Sequence, residues 1–270
     1  MAVAVICLPS EARRRGTVTI LHTSDTHSCI MPLSSALADT VSAGRGGYVR
    51  RVALVAQERT KDGDLLLLDC GDFSQGSPYY SIYKGDVEVG MMNIMGYDAA
   101  AIGNHEFDYG LENMARLFRM AQFPIVCANY DFSGTPVEGL VKPYIIVERG
   151  GLRIGIFGIS PRLEGLVMES ACQGVTFIDP VEAANAAVDD LRSAGCDIII
   201  CLSHLGWDIG GIDDEALISA TEGIDIVLGG HSHTYMTEME YVDNATGTPV
   251  PVDHEGKNGV FVGKITITRE

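Results

Sequence analysis

The sequence predicts a layered α/β fold with mixed sheets, and three observations carry that prediction. Short apolar, β-rich runs alternate with longer stretches of helical period, five of the runs stop at a polar cluster, and no Pro- or Ser-rich linker divides the chain. With 270 residues and 46% hydrophobic content, one large core is within reach.

In chain order, "VTILHTS" reads as a strand and "GGYVRRVALVAQERT" as a helix opening after two glycines. "LLLLDC" is a strand, "VEVGMMNIMG" a helix, "AAAIG" a strand and "LENMARLFRMA" a helix. After "FPIVCANY", the segment "KPYIIVERGGLRIGIFGI" has the form of two strands around a Gly-Gly turn, so part of the sheet is antiparallel. "PVEAANAAVDDLRSAG" and "DDEALISATEG" read as helices, each followed by a strand, "DIIICLSH" and "IDIVLGG". The tail "GVFVGKITITRE" alternates like a strand, and residues 133–142 and 244–258 read as short, turn-rich loops.

A formal charge of −17 argues against binding duplex nucleic acid or an anionic membrane, since both need clustered Lys and Arg. No stretch approaches the roughly 18 apolar residues of a membrane span. The seven cysteines are odd in number and without a C-x-x-C pair, and Cys70, Cys127 and Cys201 sit in or beside apolar runs, which points to buried thiols rather than a disulfide framework. "MAVAVICL" followed by Ser10-Glu11-Ala12 resembles a short signal core, but Arg13 to Arg15 stand on the wrong side of it. The expectation is a signal remnant or disordered arm over 1–16 and a single domain over 17–270.

Polar clusters follow the strands in order. Asp25 and His27 follow "TILHTS", Asp72 follows "LLLLDCG", Asn104 and His105 follow "AAAIG", His204 follows "IIICLS", and His231 and His233 follow "IDIVLGG". Parallel strands bring their carboxyl ends to one edge, so these residues converge there. Without His105 the set is two Asp, one Asn and four His, a mixed oxygen and nitrogen set that suits Zn²⁺, Mn²⁺ or Fe better than Ca²⁺. Seven donors exceed one tetrahedral zinc but fit two metals that share a carboxylate.

The motifs "DTH", Gly71-Asp72, "GNHE", Ser203-His204 and "GHSH" resemble the calcineurin-like metallophosphoesterases, and "LHTSDTHS", "GNHEFDYG", "LSHLG" and "LGGHSHT" resemble their 5′-nucleotidase branch. The resemblance runs from Val18 to the last strand. It implies an α/β-β-α sandwich with helices on the outer faces, and two divalent ions among Zn, Mn, Fe and Co. Asp25, His27 and His233 would hold one ion, Asn104, His204 and His231 the other, and Asp72 would bridge. His105 would be the catalytic imidazole and Asp108 its partner. The implied reaction is hydrolysis of a small-molecule phosphate ester, most simply a 5′-nucleotide, by in-line attack of a metal-bridging hydroxide. Alternatives at the same site are a 2′,3′-cyclic nucleotide phosphodiesterase, a broad phosphomonoesterase, or a non-catalytic metal-binding subunit of a two-chain nucleotidase. Secreted members of this branch carry a C-terminal nucleotide-binding domain, so a separate chain supplying that domain is an expected partner, and the expected location is periplasmic or secreted, otherwise cytoplasmic.

The remaining polar residues read more simply. Glu106 is expected to support or cap the site, His22 to pack in the core, and His254 to lie in a polar loop without a partner. Arg45, Arg50 and Arg51 are expected on a solvated helix face, and Trp207 either at the pocket mouth or in packing.

Overall fold

A computed structural model describes residues 3–8 and 14–269. Its elements in order are β1 (Val3–Leu8), β2 (Gly16–Thr23), α1 (Tyr48–Lys61), β3 (Leu66–Asp69), α2 (Pro78–Tyr83), α3 (Asp86–Met95), β4 (Ala99–Ala101), α4 (Gly110–Met120), β5 (Ile125–Val126), β6 (Tyr130–Asp131), β7 (Val141–Lys142), β8 (Tyr144–Arg149) and β9 (Leu152–Ile159). Then follow β10 (Thr176–Phe177), α5 (Pro180–Ser193), β11 (Ile198–Ser203), α6 (Asp214–Ala220), β12 (Ile226–Gly229), β13 (Glu240–Asp243), β14 (Pro249–His254) and β15 (Gly263–Arg269).

Two large mixed sheets result. One has the order β1-β15-β2-β3-β4-β5-β7, the other β13-β14-β12-β11-β9-β8, and β10 with β6 makes a small ribbon. Strand periodicity explains how they stack, because successive side chains point to opposite faces. In β3, Leu66 and Leu68 face Ile154, Ile156 and Ile200 of the other sheet, whereas Leu67 joins Val55, Val89 and Met114 beneath the helices. In β11, Ile198 and Ile200 enter the layer between the sheets while Ile199 and Cys201 pack with Ala184, Leu191 and Leu217 of α5 and α6. Burial on both faces is why these strands are continuously apolar. The order of layers is helix, sheet, sheet, helix, the expected sandwich.

Local signals start the helices. Asp179 accepts hydrogen bonds from Val181 N and Glu182 N with Pro180 in the first turn, and Asp213 accepts from Ala216 N. Such caps satisfy backbone donors that the helix leaves open.

Several expectations change. Of the segment 1–16, Val3–Leu8 is a strand paired in parallel with β15, while residues 9–13 lie outside the described residues. Pro78–Tyr83 forms a helix that the pattern did not reveal, started by Ser77, whose hydroxyl accepts from Tyr79 N. Pro249–His254, expected in a loop, is strand β14 between β13 and β12, and the tail pairs only from Gly263 onward.

Candidate metal centre

Strands β2, β3 and β4 run parallel in one sheet, and β11 and β12 run parallel in the other. Their carboxyl ends deliver the polar loops to a common edge. Asp25, His27 and His233 each offer a ligand atom within 4.8 Å of the others, and so do Asp72, His204 and His231. A third overlapping set, His27, Asp72 and His105, joins the two.

The backbone fixes these loops by hydrogen bonds of its own. Asp25 N donates to Gly71 O, His27 N to Asp72 O and Ser28 N to Phe73 O, while Asn258 N donates to Asp25 O. The Asp25 carboxylate also accepts from His231 N at 3.0 Å. Five donor residues hold left-handed backbone, with φ of 48° at Asp25, 42° at His27, 56° at Asp72, 73° at His231 and 57° at His233.

Donor chemistry fits a cation. His204 Nδ1 lies 2.6 Å from the Cys70 carbonyl, so Nδ1 carries a proton there and Nε2 is turned toward Asp72 Oδ2 at 3.1 Å. His27 Nε2 and His233 Nε2 face each other at 2.9 Å, near Asp25 Oδ1 at 4.0 and 3.6 Å. Burial pushes His27 down and takes His231 and His233 to about 4, which keeps these rings neutral and their lone pairs free. Burial opposes charge on His204, yet the adjacent Asp72 raises it. Asn104 Oδ1 is buried with no hydrogen-bond partner, an orphan that a cation would satisfy.

Around the donors lies a second set of contacts. Glu106 is buried and accepts from Asp72 N at 2.9 Å and Gly103 N at 2.7 Å through one oxygen, and from Ser74 N at 3.1 Å through the other. Burial and the nearby Asp72 raise its carboxyl to about 7, against the pull of those donors. His105 occupies a single turn of 3₁₀ helix, which brings Nδ1 to 3.1 Å from Asp108 Oδ2. That hydrogen bond is the main reason its pKa is raised.

Two further residues belong to this shell and were not legible as such. Asp214 is buried and accepts from Ser203 Oγ, next to His204, and its other oxygen lies 2.7 Å from His254 Nε2. His254 is therefore a partnered, buried residue at the end of β14, not a loop histidine. The only signal was the Asp pair of "DDEALIS", which the helix start absorbed. Arg51 also departs from expectation, being buried with its guanidinium 4.5 Å from the Tyr48 ring, while Arg45 and Arg50 stay at the surface. Trp207 is half-buried against the α5/α6 core, and its backbone N–H donates to Ser232 Oγ, between the two final histidines.

The family profile of calcineurin-like phosphoesterases matches residues 18–235. The chain belongs to that family. Calcineurin-like phosphoesterases use divalent metals, and the His/Asp clusters of this member have the donors to bind them. This phosphoesterase is 35% identical to the 5′-nucleotidase of Bos taurus over 246 residues, 89% of this chain and 41% of that protein. The human 5′-nucleotidase is 35% identical over 240 residues, 87% of this chain and 40% of that protein. The chain thus spans about two fifths of the length of these curated relatives. Among solved structures, a 5′-nucleotidase precursor from Thermus thermophilus superposes with a TM-score of 0.83 at 33% identity, covering 93% of this chain and 51% of that one. The calcineurin-like phosphoesterase YfkN from Bacillus subtilis gives 0.76 at 28% identity, covering 94% of this chain and 85% of that one. Among the described residues, no helix is long and apolar enough to cross a membrane.

Proposed function

We propose that residues 17–270 form the catalytic domain of a dinuclear-metal phosphoesterase that hydrolyses 5′-nucleotides. The observation that carries this reading is the pair of His/Asp clusters at the shared strand-end edge of the two sheets, with His105 bordering both. Asp25, His27 and His233 are assigned to one ion, Asn104, His204 and His231 to the other, and Asp72 to both. Bound there, the ions supply Lewis-acid neutralisation of phosphoryl oxygens and a nucleophile from water at neutral pH.

The chain's own groups do the rest. His105, held by Asp108, is the proton donor to a phosphoryl or leaving-group oxygen, and its raised pKa keeps that proton available. Glu106 holds the Asp72 turn at a fixed distance from Gly103 and His105. An anionic substrate is compatible with a chain of −17 because bound ions outweigh more distant surface charge.

Beside Asp108 opens a groove of about 570 Å³ lined by Gln75, Tyr80, Tyr109 and Met168 among others. It is broad and open, so base selection is assigned to a nucleotide-binding domain that covers this edge, either on the same polypeptide or on a separate chain. The test combines metal analysis of the purified chain with hydrolysis of an aryl phosphate, AMP and UMP, with and without Mn²⁺. Two ions per chain with metal-dependent turnover is the expected result. Turnover by fully metal-stripped protein refutes the mechanism, and strong base-selective turnover by this chain alone refutes the assignment of base selection.

A further inference from the structure

A second His–carboxylate cluster lies apart from the residues assigned above. His22 of β2, Asp253 of β14 and Glu255 just past β14 each present a ligand atom within 4.8 Å of the others, and all three are buried. His22 Nε2 stands 3.1 Å from Asp253 Oδ2. Both oxygens of Glu255, and His22 Nδ1, are enclosed without a hydrogen-bond partner. Burying a carboxylate with neither oxygen satisfied is costly, so the site calls for a positive partner or a proton.

Gly263 of β15 sits opposite His22 in the sheet, and a Cβ added there would stand 2.0 Å from His22 Nε2 and 2.8 Å from Glu255 Oε1. Only glycine lets the His22 ring and the Glu255 carboxylate lie this close to the β15 backbone. One imidazole and two carboxylates form a donor set of the zinc or manganese kind, with too few oxygens for calcium.

We propose that His22, Asp253 and Glu255 form a third cation site, which holds one Zn²⁺ or Mn²⁺ inside the sandwich. Such an ion joins β2 of one large sheet to the end of β14 in the other. It also braces the crevice from both sides. His22 lies three residues before Asp25 in sequence, and Glu255 is bridged to Tyr235, two residues after His233. Burial lifts the Glu255 carboxyl to about 7, and His22 is raised despite its burial by the bond to Asp253, the pattern expected where negative charge is in excess. The role is structural, because the cluster is closed to solvent and offers no face to a substrate.

The site is tested with Zn²⁺ alone as the probe, on the full chain, by elemental analysis after zinc saturation and gel filtration. Glu255→Gln is expected to bind one ion fewer than wild type and to lose the zinc-dependent part of its thermal stability. Asp72→Ala lowers the total but leaves the difference made by Glu255→Gln in place, which separates this site from the crevice and from its proposed activity. Should Glu255→Gln not fold, Asp253→Asn is read the same way. Equal zinc content in wild type and variant overturns the proposal. So does a variant that melts at or above wild type with zinc present, because Glu255 is then a buried acid closed by a proton.

Discussion

Replacing Glu106 with glutamine tests whether a carboxylate is what fixes the Asp72 turn. The carboxylate takes three backbone N–H bonds, two through one oxygen and one through the other. Glutamine keeps a single acceptor oxygen. With that oxygen serving Asp72 N and Gly103 N, its NH₂ points at Ser74 N, so one bond becomes a contact between two donors and the other two lose their charge assistance. Hydrogen bonds to charged groups are worth about 1.5–3 kcal/mol each and weaken roughly twofold when neutral, a gross loss of about 3–6 kcal/mol; relief of the buried charge offsets roughly half of it, so a net loss of about 2–3 kcal/mol is expected. At about 2.1 cal/mol/K of unfolding entropy per residue, this lowers Tm by about 4–5 °C in a chain of this length. The same shift moves Asp72, whose Oδ1 also accepts from His105 N at 2.8 Å, so the metal concentration for half-maximal activity should rise about 10- to 100-fold. The assay is thermal melting with saturating Mn²⁺ beside a Mn²⁺ titration of aryl phosphate hydrolysis. Glu112→Gln, an exposed carboxylate on α4, serves as the control and should shift stability by no more than about 0.5 kcal/mol. If Glu106→Gln matches wild type in both readouts, Glu106 works as a neutral acid and the account of the turn is wrong.

Three further outcomes follow from the same geometry. His105→Ala should keep its metals and lose about 10²- to 10⁴-fold in kcat, whereas Asp72→Ala should lose metal as well; elemental analysis beside kcat separates them, and equal metal loss in both would show that His105 is a ligand. Gly103→Ala should weaken metal binding and cost about 1–3 kcal/mol, because its Cβ would stand 2.1 Å from Asp72 Oδ1 and 2.6 Å from Asp72 N; a variant with wild-type Tm and metal titration would mean that this approach is looser than described. Chelation should abolish hydrolysis and added Mn²⁺, Co²⁺ or Zn²⁺ should restore it, as followed by initial rates before and after re-addition; activity that survives full chelation excludes a metal-made nucleophile.

How much of this was legible depends on whether the controlling signal is local. Strands such as "LLLLDC" and "DIIICLS" announce themselves because burial on both faces favours an unbroken apolar run, and each motif lies where such a run stops. Long-range pairing leaves no such mark. Val3–Leu8 looks like an export signal until β15 is seen alongside it, and the polar flanks of β14 hide a strand held between β13 and β12. Within the site, the seven residues assigned as donors and the His105–Asp108 pair fall in short motifs. Their supports do not. Asp214 reaches His254 across 40 positions, and His22 reaches Asp253 across 231, so no spacing rule connects either pair.

The left-handed backbone at five donor residues bears on how this centre could be redesigned. Non-glycine residues in that region are costly in general, and Asp, Asn and His are several-fold enriched among those that tolerate it. At Asp25, His27, Asp72, His231 and His233 the side-chain chemistry and the main-chain conformation therefore ask for the same few residue types. Exchanging a histidine for cysteine or glutamate to court a softer or harder ion would strain the loop before the new donor met any metal. Engineering a different ion preference has to begin with the turns, by inserting glycine or asparagine beside a relocated donor, and random drift faces the same double barrier at each of these positions.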